Sequence, residues 1–124
     1  MEMKELLKLG IEEALDKAVK AGTLPAGDYP EVNLEIPPQR DFGDFATNFA
    51  MQSARIAHQA PKMIAQALVG QMTYSWLQRA DIAGAGFINF FLKHDVIYDT
   101  LKAILYAGDG YGKAPFRQED TVQV

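Results

Sequence analysis

No part of this chain leaves the fold less freedom than residues 80–92. Ala80-Asp81-Ile82-Ala83 reads as a short strand, Gly84-Ala85-Gly86 turns or bulges the chain, and Phe87-Ile88-Asn89-Phe90-Phe91-Leu92 reads as a second strand. Strand side chains alternate between two faces. Ile88, Phe90 and Leu92 therefore share one face, and Phe87, Asn89 and Phe91 share the other.

The rest of the chain supplies mostly helices. Leu7, Ile11, Ala14, Leu15, Ala18 and Val19 recur at helical spacing, with Lys4, Glu5, Lys8, Glu12, Glu13, Lys17 and Lys20 on the opposite side. Glu13 with Lys17 and Asp16 with Lys20 add two i,i+4 pairs of about 0.2–0.5 kcal/mol each. A turn-rich stretch over residues 22–30 ends that helix. Val32, Leu34 and Ile36 then alternate with Glu31, Asn33 and Glu35, as in a strand with one wet face, until Pro37 and Pro38 stop it.

Asp44 is a good N-cap for a second helix over residues 45–58, whose inward stripe would be Ala46, Phe49, Ala50, Ser53, Ala54 and Ala57. Pro61 suits the first turn of a third helix carrying Met63, Ile64, Ala67 and Leu68. Its preceding Ala60 is a poor cap, costing roughly 1 kcal/mol against Ser or Asn. A last helix over residues 95–106 carries Val96, Ile97, Leu101, Ile104 and Leu105, and a glycine-rich loop at 108–112 closes it. The fold class expected is α+β: a small, mainly antiparallel sheet covered by helices on one face.

Composition narrows the function. The 124 residues suit one globular domain, and the absence of cysteine removes disulfides and thiolate metal sites, which fits a cytoplasmic protein. Neither a secretory signal nor an apolar run long enough for a bilayer is visible, so a membrane is not an expected partner. The formal net charge of −4 argues against a stand-alone nucleic-acid binder, and against DNA as a ligand. The basic residues Arg40, Arg55, Lys62, Arg79, Lys93, Lys113 and Arg117 are scattered along the chain.

No catalytic or metal-binding constellation emerges. Glu31, Glu35, Asp41 and Asp44 are explained by a solvated strand face and a helix cap. His58 and His94 lack metal-ligand spacing and are read as surface residues, and Ser53 and Ser75 sit in no nucleophile elbow. Gly84-x-Gly86 begins like a dinucleotide fingerprint, but Asn89 replaces the third glycine and a strand follows where a helix N-terminus would be needed.

Three motifs together resemble the N-terminal additional domain of bacterial arginyl-tRNA synthetases. Gly43-Asp44-Phe45-Ala46-Thr47-Asn48 with Ala50-Met51 is similar to one family segment, and Pro61 followed by Ile64-Ala65-Gln66-Ala67-Leu68 to a second. Ala83-Gly84-Ala85-Gly86-Phe87-Ile88-Asn89-Phe90-Phe91-Leu92 is similar to the family's Ala-Gly-Pro-Gly-Phe-Ile-Asn signature. The resemblance covers nearly the whole chain. It implies a domain over residues 1–112 and a linker over 113–124, leading to a catalytic domain of the same chain that this sequence does not include. The strand-like Thr121-Val122-Gln123-Val124 ending fits that expectation.

In the family this domain reaches the D-loop at the elbow of tRNA-Arg, and the parent enzyme joins arginine to that tRNA using ATP and magnesium. The segment itself is expected to hold no cofactor and to be no enzyme alone. A Phe and an amide two residues later engage a D-loop nucleotide in some members, and they match Phe87 and Asn89. An upstream Asn used in some members corresponds to Gly84, which cannot make that contact. Arg40 and Arg55 are further candidates for steering phosphate. Two alternatives stay open: a protein-binding surface on the Phe87/Phe91 face, and a domain that only braces the catalytic body.

Overall fold

The computed structural model describes residues 2–107, so the expected loop at 108–112 and linker at 113–124 lie outside the described residues. α1 (Met3–Lys20) buries Leu7, Ile11, Ala14 and Ala18 and leaves its acids and lysines in water. Glu5 accepts the Glu2 backbone N–H at 2.9 Å and closes the first turn. The pairs Glu13–Lys17 and Asp16–Lys20 form at 3.8 and 2.9 Å, both exposed and worth little to stability.

Gly10 lets α1 lie close to an aromatic pair. A Cβ there would come within 3.0 Å of the Tyr74 ring, and Tyr74 is stacked on Trp76 with ring centroids 4.8 Å apart. The Tyr74 hydroxyl reaches both the Gly10 carbonyl, at 3.0 Å, and the Glu13 carboxylate, so one O–H is shared between two acceptors. Burial, and then the Glu13 carboxylate, push this phenol well above the usual tyrosine range.

The expected strand at 31–36 keeps its alternation only as far as Glu35, and it does not form a ladder. Val32 and Leu34 are buried, whereas Ile36 is 78% exposed and only Glu35 makes a bridge, exchanging two 2.8 Å backbone bonds with Ala46. The Asn33 carbonyl is taken by the Thr47 hydroxyl at 2.7 Å, and Pro37 and Pro38 have no N–H to extend the pairing.

A single 3-10 turn (Arg40–Phe42) leads to β1 (Phe45–Thr47), where a helix was expected. Phe45, Ala46 and Thr47 pair antiparallel with Phe90, Asn89 and Ile88, and this tertiary ladder overrides the local helical pattern. α2 starts four residues later than expected (Phe49–Ala57), with Thr47 Oγ1 accepting the Phe49 N–H at 3.2 Å. Asp44 is therefore no helix cap. Its carboxylate accepts the Leu92 N–H at 2.8 Å and lies 2.9 Å from His94 Nε2, tying the end of one strand to the start of the last helix. His94 is on the surface, as expected, but it is engaged there.

α2 buries Phe49, Ala50, Ser53 and Ala57, while Ala46 of the expected stripe lies in β1. Pro61 opens α3 (Pro61–Gly70) with no side-chain cap from Ala60, as expected, and Ile64, Ala65 and Leu68 face the core. Met63 does not; it is 57% exposed. β2 (Leu77–Ala83), β3 (Phe87–Leu92) and α4 (His94–Ala107) complete the described residues, and α4 buries Ile97 and Leu101.

β3 is the centre of a three-stranded antiparallel sheet of order β1-β3-β2. Its Ile88, Phe90 and Leu92 are at most 3% exposed beneath α2 and α3, and α1 packs on α3 and α4. Phe87, Asn89 and Phe91 point the other way and are exposed or half-buried. Among the described residues, one face of the sheet is roofed by helices and the other is open.

Candidate nucleic-acid interface

β3 supplies the open face because its alternation fixes which side chains leave the core. Register assigns the neighbours: Ala83 opposite Phe87, Asp81 and Ala46 flanking Asn89, and Arg79 opposite Phe91. Across the strands, only an alanine and an aspartate stand opposite Asn89. Phe87 is 41% exposed, a large apolar side chain left partly in water at the end of its strand.

The position of Phe87 is set by the residue before it. The turn closes with Gly86 N–H donating to the Ala83 carbonyl at 3.2 Å, and Gly86 has φ +139°, a conformation that side chains disfavour. A Cβ at Gly86 would stand 2.6 Å from Pro61 Cβ and 3.4 Å from the Met51 side chain. The hairpin tip is thus seated on the start of α3 and against α2, and Phe87 projects from a fixed corner.

Arg79 reaches the open face through the hairpin register, which runs unbroken from Ala83 opposite Phe87 to Arg79 opposite Phe91, and a β-bulge follows it. Leu77 pairs with Leu92 and Arg79 with Phe91, so two steps along β2 match one along β3 and Gln78 is the extra residue. The bulge lies beyond Arg79 from the turn, and it is Leu77 that it returns to the side of Leu92. On the open face the Arg79 guanidinium lies 3.9 Å from the centre of the Phe91 ring, and its Nε donates to Asp81 at 3.1 Å.

Of the four residues expected to meet RNA, the structure brings Phe87 and Asn89 together. The backbone of Arg40 belongs to the 3-10 turn that precedes Asp44, at the Leu92 end of β3. That end is about 17 Å along the strand from Phe87. Arg55 is exposed in the last turn of α2 and belongs to the helical layer. The arginine on the open face is Arg79, which sequence reasoning counted only among scattered basic residues. The signal that could have found it was parity: Arg79 lies two residues before Asp81, on that residue's face, just outside the strand expected at 80–83.

At the other end of the sheet, a groove of about 400 Å³ is lined by Met3, Ile36, Pro37, Pro38, Gly43, Asp44, Phe45 and His94. Its one carboxylate is already engaged with Leu92 and His94. Among the described residues no three metal-ligating side chains come together. The Gly84–Gly86 turn feeds a strand and presents no helix N-terminus to a phosphate.

The family model described as the arginyl tRNA synthetase N terminal domain matches residues 5–92, most of the chain and all of the sheet. The chain belongs to this family. Among relatives of the arginyl-tRNA synthetase N-terminal domain, arginine–tRNA ligases of Anoxybacillus flavithermus and Geobacillus kaustophilus are 41% and 42% identical to it. Each alignment covers 99% of this chain and 22% of the relative, so the chain spans about a fifth of the relatives' length. The crystal structure of Plasmodium falciparum arginyl-tRNA synthetase superimposes on 82% of this chain and 18% of its own. Its TM-score is 0.64 at 15% identity, a likeness of fold alone. Among the described residues no helix is long and apolar enough to cross a membrane.

Proposed function

We propose that the open sheet face contacts the D-loop of tRNA-Arg, as the accessory domain of an arginyl-tRNA synthetase whose catalytic domain lies further along the same chain. The observation that carries this reading is the placement of Phe87 and Asn89, two residues apart on one open face within the N-terminal family domain. RNA-binding proteins favour unpaired loop bases, which stack on aromatic side chains and expose hydrogen-bonding edges. Phe87 offers the stacking surface, and the Asn89 amide offers a donor and an acceptor beside it. The attachment of arginine, with its ATP and magnesium, belongs in this reading to the catalytic domain.

The acidic composition shapes the mode of binding. With a net charge of −4 the segment lacks the counterion-release term that drives non-specific affinity. Its contact is weak alone and gains strength when the rest of the enzyme holds the tRNA nearby. A second role, bracing a neighbouring protein surface, is favoured by Ile36 and Leu105, which are 78% and 65% exposed.

The test is made in the synthetase that carries this segment. Phe87→Leu with Asn89→Ala should lower kcat/KM for tRNA by roughly fivefold to a hundredfold, the loss of one stacked base. KM for arginine and ATP should stay unchanged, and a tRNA altered in its D-loop should respond little to the substitutions. A folded double variant that charges unaltered tRNA as well as the parent would remove the reading.

A further inference from the structure

We infer that Arg79, held over Phe91, is a second base-stacking platform on the open face, taking an unpaired nucleobase separate from the one at Phe87. The inference rests on the proposed RNA contact and adds a station to it. Three observations support it. The hairpin register sets Arg79 opposite Phe91 on the open face, and its side chain is 54% exposed there. The guanidinium carbon lies over the Phe91 ring, 3.9 Å from its centre, while the side chain stays half exposed to solvent. Arg79 Nε is bonded to Asp81 at 3.1 Å, which helps to hold it there.

The Asp81 carboxylate also selects the ligand. It partly neutralises Arg79 and repels a phosphate approaching that edge, leaving the flat face as the surface on offer. Stacking on an arginine plane is an established way of holding an unpaired base and needs no free positive charge.

Spacing selects the ligand's conformation. Phe87 and Phe91 are four residues apart on one strand face, about 14 Å, whereas stacked neighbours in one nucleic-acid strand are about 3.4 Å apart. Adjacent stacked bases cannot reach both stations, and a base at either one offers a face that a stacked neighbour would otherwise cover. The face therefore fits a splayed loop and not a duplex.

The 124-residue chain, labelled with 15N, is titrated with an unmodified tRNA-Arg transcript at several salt concentrations, alongside its Arg79→Lys, Arg79→Ala and Phe87→Leu variants. Amide spectra confirm that each variant is folded. The expected result is a shift of Arg79 and Phe91 signals together with those of Phe87 and Asn89, and at least fivefold weaker binding by both Arg79 variants. Arg79→Lys keeps the charge, so the dependence of log K on log salt should keep its slope in that variant. Retained affinity in Arg79→Lys, with a shallower salt slope in Arg79→Ala, means a phosphate contact and overturns the inference. Parent-like binding by both Arg79 variants, with Phe87→Leu impaired, overturns it while the D-loop reading stands. If no signal on the open face moves at saturating tRNA, both fall together.

Discussion

Replacing Gly86 by alanine should cost far more than its single methyl group suggests. The new Cβ would stand 2.6 Å from Pro61 Cβ and 3.2 Å from the Pro61 carbonyl carbon, where carbon atoms prefer about 3.5–4.0 Å. Neither obstacle can swing aside, because one belongs to a closed ring and the other to the backbone of a helix start. Forcing a methyl group into a packed site costs about 1–3 kcal/mol, and a side chain held at φ +139° adds strain of about 1–3 kcal/mol. Partial relaxation leaves a loss of about 2–5 kcal/mol, which for a domain of this size lowers Tm by roughly 10 °C or more. Gly84 is the control. It also has positive φ, at +57°, but nothing lies within 4 Å of its Cβ position, so Gly84→Ala should cost only about 1 kcal/mol. Thermal and urea melts followed by circular dichroism compare the two. Equal losses would show that the hairpin tip is not seated on α3, and the fixed position assigned to Phe87 would lose its basis.

Asp44→Ala strips the Leu92 N–H and His94 of their shared acceptor. Urea melts should show a loss of about 1–3 kcal/mol, with Asp44→Asn recovering part of it. Tyr74→Phe should cost about 0.5–1.5 kcal/mol at neutral pH. The Tyr74 phenol is raised in the folded state, so its contribution is complete below the unfolded value near pH 10 and is lost as pH rises further. Melts at increasing pH should therefore show the parent losing more stability than Tyr74→Phe above about pH 10.

The parts of the fold that could be read in the sequence are those where local pattern and burial agree. β3 alternates strictly and the core covers one of its faces, so Ile88, Phe90 and Leu92 could be assigned inward without a partner in view. α1 and the start of α3 were legible for the same reason, through helical spacing and Pro61. β1 was not. Phe45, Ala46 and Thr47 suit a helix as well as a strand, and the choice is made by hydrogen bonds to a segment more than forty residues away. Residues 31–35 show the converse: the alternation is real, but a side chain of Thr47 takes the carbonyl that a ladder would have used. The interface divides along the same line. Phe87 and Asn89 follow from parity within one strand, whereas Arg79 follows from the pairing of two strands, the second of which begins at Leu77 and not at Ala80.

The seating of α1 on Tyr74 and Trp76 gives the chain an optical division of labour. Trp76 is its single tryptophan, 6% exposed, with its carbonyl accepting the Lys93 N–H at 2.8 Å and its ring against Gly10. The open face carries its aromatic rings as phenylalanine, at Phe87 and Phe91, which are dark at wavelengths that excite indole. Tryptophan emission therefore follows the docking of α1 and is blind to anything that merely lies across the sheet. An emission change on adding tRNA would mean that the contact had been transmitted through the strands into the core.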